Sequence, residues 1–259
     1  MPYDDGRTAI HADLRTPVGL MLYRYGYRDA DLDVIARLLG PGDVFVDGGA
    51  NLGLFTLVAA DRVGPAGKVV AFEPGHEVRR RLLANVALNR LEHVDIRASA
   101  LWSCMGRAPL RVFDIGLAGL NHLAPDEAPT DTLENVELTT LDMALSRHDR
   151  SRLTLVKLDL EGAEHHALVG AGAILHERRP DLMLEIEPAH LRRMGSSAEA
   201  VADLLRGHGY AFYRASRDSL DAPSLSPAPN IDTATGTRNV FATVDVERAR
   251  HRGVTILRV

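Results

Sequence analysis

Two short runs concentrate the residues able to do chemistry, VFVDGGANLGLFTL at 44–57 and KLDLEGAEHH at 157–166. In the first, an apolar run meets Asp47, then Gly48, Gly49, Ala50, Asn51 and Gly53, and apolar residues resume at helical spacing. Glycine permits positive φ and close backbone approach, so a tight strand-to-helix turn is expected, with room for a ligand against its amides. Gly48-x-Ala50-x-x-Gly53 nearly matches the dinucleotide-binding fingerprint, a weak signal by itself. An acid directly before the turn repels a pyrophosphate and favours a ligand that carries an ammonium. Glu73, closing VVAFE one crossover later, can accept two ribose hydroxyls. A nucleoside with an amino-acid tail, S-adenosylmethionine, satisfies both acids. Strand-end acids also cap the following helix for about 0.3–1 kcal/mol. Two of them at fixed spacing around a glycine turn favour the ligand.

In the second run, Leu153, Leu155, Lys157, Asp159 and Glu161 share one parity of a strand, and Val156, Leu158 and Leu160 the other. The first face turns from apolar to charged towards the carboxyl end, where the glycine turn also lies. Asp159 could hold the ligand's amino group or a substrate nucleophile, Lys157 could pair with it, and Glu161 could face substrate. A structural Lys157–Asp159 ion pair is the plain alternative. An alcohol acceptor needs a base, and Asp159, Glu161, Glu187, His190 and His122 are candidates. Eleven histidines are scattered along the chain, so His190 and His122 also read as surface or structural residues. His165 and His166 begin a helix and read as solvent-facing. Asp159 and Glu187 end neighbouring strands and could share Mg²⁺, but no tight acidic cluster supports this, and no metal is expected. The third strand should end beside the adenine at Ser99, Ala100 and Leu101, with Leu101 or Trp102 packing on the ring. Cys104 reads as an inert buried thiol.

The elements that position these residues follow from pattern. Apolar runs alternate with helical stripes, the rhythm of βα units and a parallel sheet. Strands are expected at 43–47, 68–73, 93–98, 153–159 and 182–186, with late strands at 210–214 and 239–244. Helices are expected over 29–39, 52–61, 78–89, 162–176 and from Ser197 to Gly207. Leu110–Phe113 and Val136–Thr140 could add strands, and the Pro/Ser/Thr-rich stretch 216–238 reads as a lid or a partly disordered connection. At 259 residues and 46% hydrophobic, the chain can bury a full α/β core. A net charge of −5 argues against non-specific binding to nucleic acid or membrane. One cysteine, a polar start and no long apolar stretch indicate a soluble, cytoplasmic protein.

VFVDGGANLGLFTL, AFEP and LVKLDLEGAEHHALVGA together resemble the FkbM-type methyltransferases, a branch of the class I S-adenosylmethionine-dependent enzymes. The matching segments fall within about residues 40–190, and K-x-D-x-E-G-x-E at 157–164 is the most family-specific part. The resemblance implies an α/β, Rossmann-like, seven-stranded mostly parallel sheet with helices on both faces and an antiparallel last strand. It implies methyl transfer to a hydroxyl of a sugar, polyketide or other secondary metabolite, or alternatively to a side-chain amide nitrogen of a peptide. Asp47, Gly49, Asn51, Gly53 and Glu73 carry over as cofactor contacts, and Ala50 and Pro74, in the same two turns, join them. Lys157, Asp159 and Glu161 carry over as active-site candidates beside His190. Tyr27, or Tyr25, would cover the ligand, and the acid beside it is Asp29 or Asp31. Residues 1–40 form an N-terminal cap in this reading, and 41–259 one methyltransferase domain with substrate-facing insertions at about 104–135 and 216–238. The partner is a small-molecule or natural-product acceptor, with homo-oligomerisation left open. The competing readings are an NAD-dependent oxidoreductase and a cofactor-binding scaffold without chemistry.

Overall fold

The computed structural model of the chain describes residues 2–3, 7–25, 29–113, 115–124, 133–217, 222–231 and 239–257. Its central sheet has nine strands rather than the expected seven. From one edge to the other they are Thr255–Ile256, Pro223–Pro227, Ala211–Arg217, Asn239–Thr243, Asp181–Glu185, Leu153–Leu158, Val44–Gly48, Lys68–Phe72 and Val94–Arg97. The last five in that order run parallel. Asn239–Thr243 lies antiparallel between Asp181–Glu185 and Ala211–Arg217. The two additional strands extend the edge beyond Ala211–Arg217. One of them, Pro223–Pro227, comes from the stretch read as a lid. Prolines at both its ends hid it, yet proline is tolerated at strand starts and sheet edges. Its Leu225 is fully buried, and the Ser216 and Ser224 hydroxyls bond across the pair at 2.8 Å.

Both faces of the sheet are covered, which explains the near-continuous apolar runs. Val44, Val46, Val70, Val156, Leu158 and Leu184 pack on one side, and Phe45, Val69, Leu155, Met183 and Phe241 on the other, the period-two alternation of a pleated strand. Helix Ala30–Leu38 is capped by Asp29, whose Oδ1 accepts the Asp31 and Leu32 amides. Its Val34, Ile35 and Leu38 belong to the second of these clusters. The single helix expected over 162–176 is two, Glu164–Val169 and Gly172–Glu177. Between them Gly170 packs against Trp102: a Cβ there would lie 2.1 Å from the Trp102 carbonyl oxygen.

A smaller sheet, ordered Ala100–Leu101, Leu133–Thr139, Gly106–Arg111 and His122–Leu123, rises from the stretch read as an insertion. Residues 125–132 of that stretch lie outside the described residues. Cys104, in the bend that leads into this sheet, is exposed and not buried as expected. No helix among the described residues is long and apolar enough to cross a membrane.

Candidate active site

Parallel pairing sets Lys157 directly opposite Asp47. Lys157 Nζ lies 3.2 Å from Asp47 Oδ1 and also donates to the Gly49 carbonyl at 3.2 Å. The Thr56 hydroxyl donates to the other Asp47 oxygen at 2.6 Å. Burial opposes the lysine's charge, but Asp47 and Asp159 outweigh it and hold the ammonium above its ordinary range. Asp47 is fully buried and absent from the cleft wall. The cation it faces in this structure is Lys157. Lys157 in turn lies beneath the cleft, where it joins the glycine turn to the second charged run.

Above this pair a cleft with about 620 Å³ of empty space, including its open mouth, lies beyond the carboxyl ends of the strands. Gly49, Asn51, Glu73, Pro74, Ala100 and Leu101 line one part of it. Gly49 has φ 72°, and a Cβ there would sit 1.9 Å from the Asp159 carbonyl oxygen, so only glycine lets the turn pass. Glu73 Oε2 accepts the Asn51 amide and Oε1 the Gly75 amide, each at 2.9 Å. Burial pushes its carboxyl up to about 7 against the pull of those two amides. Arg79 bonds the Glu73 and Pro74 carbonyls and fixes the corner. Ala50 and Gly53 are buried behind the turn, and Ser99 is half-buried outside the lining. Trp102 does not reach the cleft wall; it stacks on His166 at 3.8 Å between ring centroids, which places His166 against protein and not facing solvent. Tyr27 lies outside the described residues.

Asp159 and Glu161 line the cleft too. The Asp159 side chain is 41% exposed and sits 3.6 Å from Lys157 Nζ. Glu161 adopts a left-handed φ of 54°. The loop behind it is clamped by Glu164, whose Oε1 accepts the Leu160 and Gly162 amides and whose carboxyl burial raises to about 7. Glu161 Oε2 lies 2.8 Å from His190 Nδ1. Glu185, at the end of the neighbouring strand, completes a trio: one donor atom from each of Glu161, Glu185 and His190 lies within 4.8 Å of the other two. Sequence reasoning pointed to Glu187 instead, which caps the helix Pro188–Arg193 by accepting the Ala189 amide. The deciding signal was the register Leu158↔Leu184, which is tertiary and sets Glu185 level with Asp159.

The small sheet supplies a wall that the motifs did not announce: Leu110, Asn121, His122 and Leu123. His122 Nδ1 lies 2.9 Å from the Leu120 carbonyl and donates to it, which leaves Nε2 as the nitrogen with a free lone pair. Burial lowers its pKa, with the charges of Arg193, Arg111 and His190 adding to the effect, so the ring is neutral at pH 7.

Fold and cleft define the class: a mostly parallel α/β protein with its cleft at the strands' carboxyl ends, where such sheets bind ligands. Residues 47–212, more than half of the chain, match the family model described as Methyltransferase FkbM domain. The chain belongs to the FkbM family of S-adenosylmethionine-dependent methyltransferases. It is 26% identical over 224 residues to the AMB antimetabolite synthetase AmbE of Pseudomonas aeruginosa, a match covering 72% of this chain and 10% of that protein. The chain thus spans about a tenth of the length of this curated relative. Among solved structures it is similar to a methyltransferase FkbM from Methylobacillus flagellatus, with TM-score 0.49 and 16% identity over 78% of this chain and 43% of the other. It is also similar to an S-adenosylmethionine-dependent O-methyltransferase from Thermotoga maritima, with TM-score 0.46 and 15% identity over 92% and 71%.

Proposed function

We propose that the protein methylates a hydroxyl group of a sugar, polyketide or other secondary-metabolite acceptor. The observation that carries this reading is one cleft joining Glu73, braced by two backbone amides, to the Asp159–Glu161 end of the adjacent charged run. Each Glu73 oxygen accepts one amide, and a carboxylate offers about four acceptor sites, so one site on each oxygen is left for a ribose hydroxyl. Phe72, Leu101, Leu110 and Leu123 provide an apolar wall for a base. With Asp47 engaged by Lys157, Asp159 is the acid that meets an ammonium in the cleft. S-adenosylmethionine brings a methyl group already activated on a sulfonium, so alignment is the main task, and positioning can contribute about 7–11 kcal/mol. His122 Nε2 takes the proton of the acceptor hydroxyl, because its ring is neutral and its other nitrogen is committed to Leu120. A synthetase among the relatives agrees with a biosynthetic acceptor.

The test is transfer of labelled methyl to a panel of hydroxylated acceptors. His122→Gln should lower turnover by about a hundredfold or more while S-adenosylhomocysteine affinity stays unchanged. Equal loss of both would put His122 in the cofactor wall, and label found only on peptide amides would move the acceptor atom to nitrogen.

A further inference from the structure

We propose that Glu161, Glu185 and His190 form a divalent-cation site at the acceptor end of the cleft, and that the acceptor is one that chelates: a vicinal diol or a hydroxy acid. The proposal rests on the methyltransferase reading for the acceptor's role, but not for the site itself. Ligands at right angles on an ion with bonds of about 2.1 Å lie about 3 Å apart, and opposed ligands about 4.2 Å. His190 Nδ1 and Glu161 Oε2 are already 2.8 Å apart, and the Glu185 oxygen falls within 4.8 Å of both. One ion can therefore reach all three donors with small side-chain adjustments.

The donor set has chemistry that a plain acidic patch lacks, since one imidazole with two carboxylates suits Mn²⁺ and neighbouring first-row ions. The three donors also come from three locked pieces of backbone. Glu185 ends a central strand. His190 sits in a helix whose first turn is capped by Glu187. Glu161 is held in its left-handed conformation by a loop that packs on the His190 backbone, where a Cβ on Gly162 would lie 2.4 Å from the His190 oxygen. Arg193 spends a guanidinium N–H on the Glu161 carbonyl oxygen at 2.6 Å. Of the three donors Glu161 also lines the cleft, so the site adjoins it.

Three protein donors leave about three positions on an octahedral ion, enough for two oxygens of one acceptor. Bound there, the reacting hydroxyl is acidified. Its proton passes to His122 Nε2, its oxygen forms the new C–O bond, and the C–S bond of the donor breaks with its electron pair left on sulfur.

The experiment titrates Mn²⁺ into the full chain and follows free Mn²⁺ by electron paramagnetic resonance. One saturable site is expected, with a dissociation constant below about 10⁻⁴ M. Glu185→Gln and His190→Asn should each weaken it at least about tenfold, while Glu199→Gln, at an exposed acid, leaves it unchanged. Unaltered melting of the two variants excludes misfolding as the cause. No saturable site, or undiminished binding in both variants, overturns the proposal. S-adenosylhomocysteine titration of the same samples separates the two claims. Loss of Mn²⁺ binding with intact nucleoside binding removes the metal site alone, and the converse removes the methyltransferase reading alone.

Discussion

Lys157 places an ammonium in a strand whose neighbours are apolar, and it is stable there because Asp47, Asp159 and two backbone carbonyls surround it. Removing one partner of a buried pair leaves the other charge uncompensated, at a cost of about 3–5 kcal/mol. Lys157→Met should therefore lose about that much stability in denaturant melts, and the double variant Asp47→Asn/Lys157→Met should recover most of it. A single variant as stable as the parent, but without turnover, would give Lys157 a direct part in the chemistry. The sequence paired Lys157 with Asp159, two positions along the same strand face. That contact exists at 3.6 Å, but the closer partner, Asp47, is 110 residues away and becomes visible only through strand register.

At the scale of elements, the glycine turn and the bend after Leu158 are pressed together. Gly49→Ala would drive a methyl group into the Asp159 carbonyl and impose a side chain on a left-handed residue. The variant should lose more than about 3 kcal/mol of stability and weaken nucleoside binding as well. Gly64→Ala makes the contrast: its φ is also positive, with ψ −176°, but nothing lies within 4 Å of the added Cβ, so the backbone alone sets its cost, about 1–3 kcal/mol. Equal melting losses for the two would mean that crowding at Gly49 does not matter. Elements with strong local signals were legible: helix starts near Asp29 and Ser197, the glycine turn before a helix, and the alternating runs of the central strands. The small sheet was only half legible, because Gly106–Arg111 and Leu133–Thr139 mix proline, arginine and acids, and their pairing joins residues distant in sequence. Its contribution to the cleft, His122 above all, followed from that pairing and not from any motif. The acceptor end was legible as a charged strand terminus, but the grouping of Glu161 with Glu185 and His190 depends on three elements meeting.

At the scale of the whole molecule, burial raises the carboxyls of Glu73 and Glu164 to about 7 and that of Asp31 to about 6. A folded state with raised carboxyl pKa values binds more protons than the unfolded chain between the ordinary values, 4.5 and 3.8, and the raised ones, so stability falls as pH rises through that window. The ligand-free protein should melt at a higher temperature near pH 5.5 than at pH 8, and Glu164→Gln should shrink the difference. His122 and His165, whose pKa values burial lowers, act in the opposite sense below 6.5 and blunt the rise. Carboxylates with lowered values, such as Asp95 and Asp149, contribute stability that is lost only as pH falls below the ordinary carboxylate range. A melting temperature that climbs steadily from pH 5.5 to 8 would contradict this account of the buried acids. The central claim is that Glu73 and the glycine turn hold the nucleoside of a methyl donor, and calorimetric titration of the full chain at pH 8 with S-adenosylhomocysteine and, separately, NAD⁺ tests it most directly. The account predicts one S-adenosylhomocysteine per chain with micromolar-range affinity, about −8 kcal/mol, binding weakened in Glu73→Gln, and no heat with NAD⁺. Saturable NAD⁺ binding with none for S-adenosylhomocysteine would contradict it.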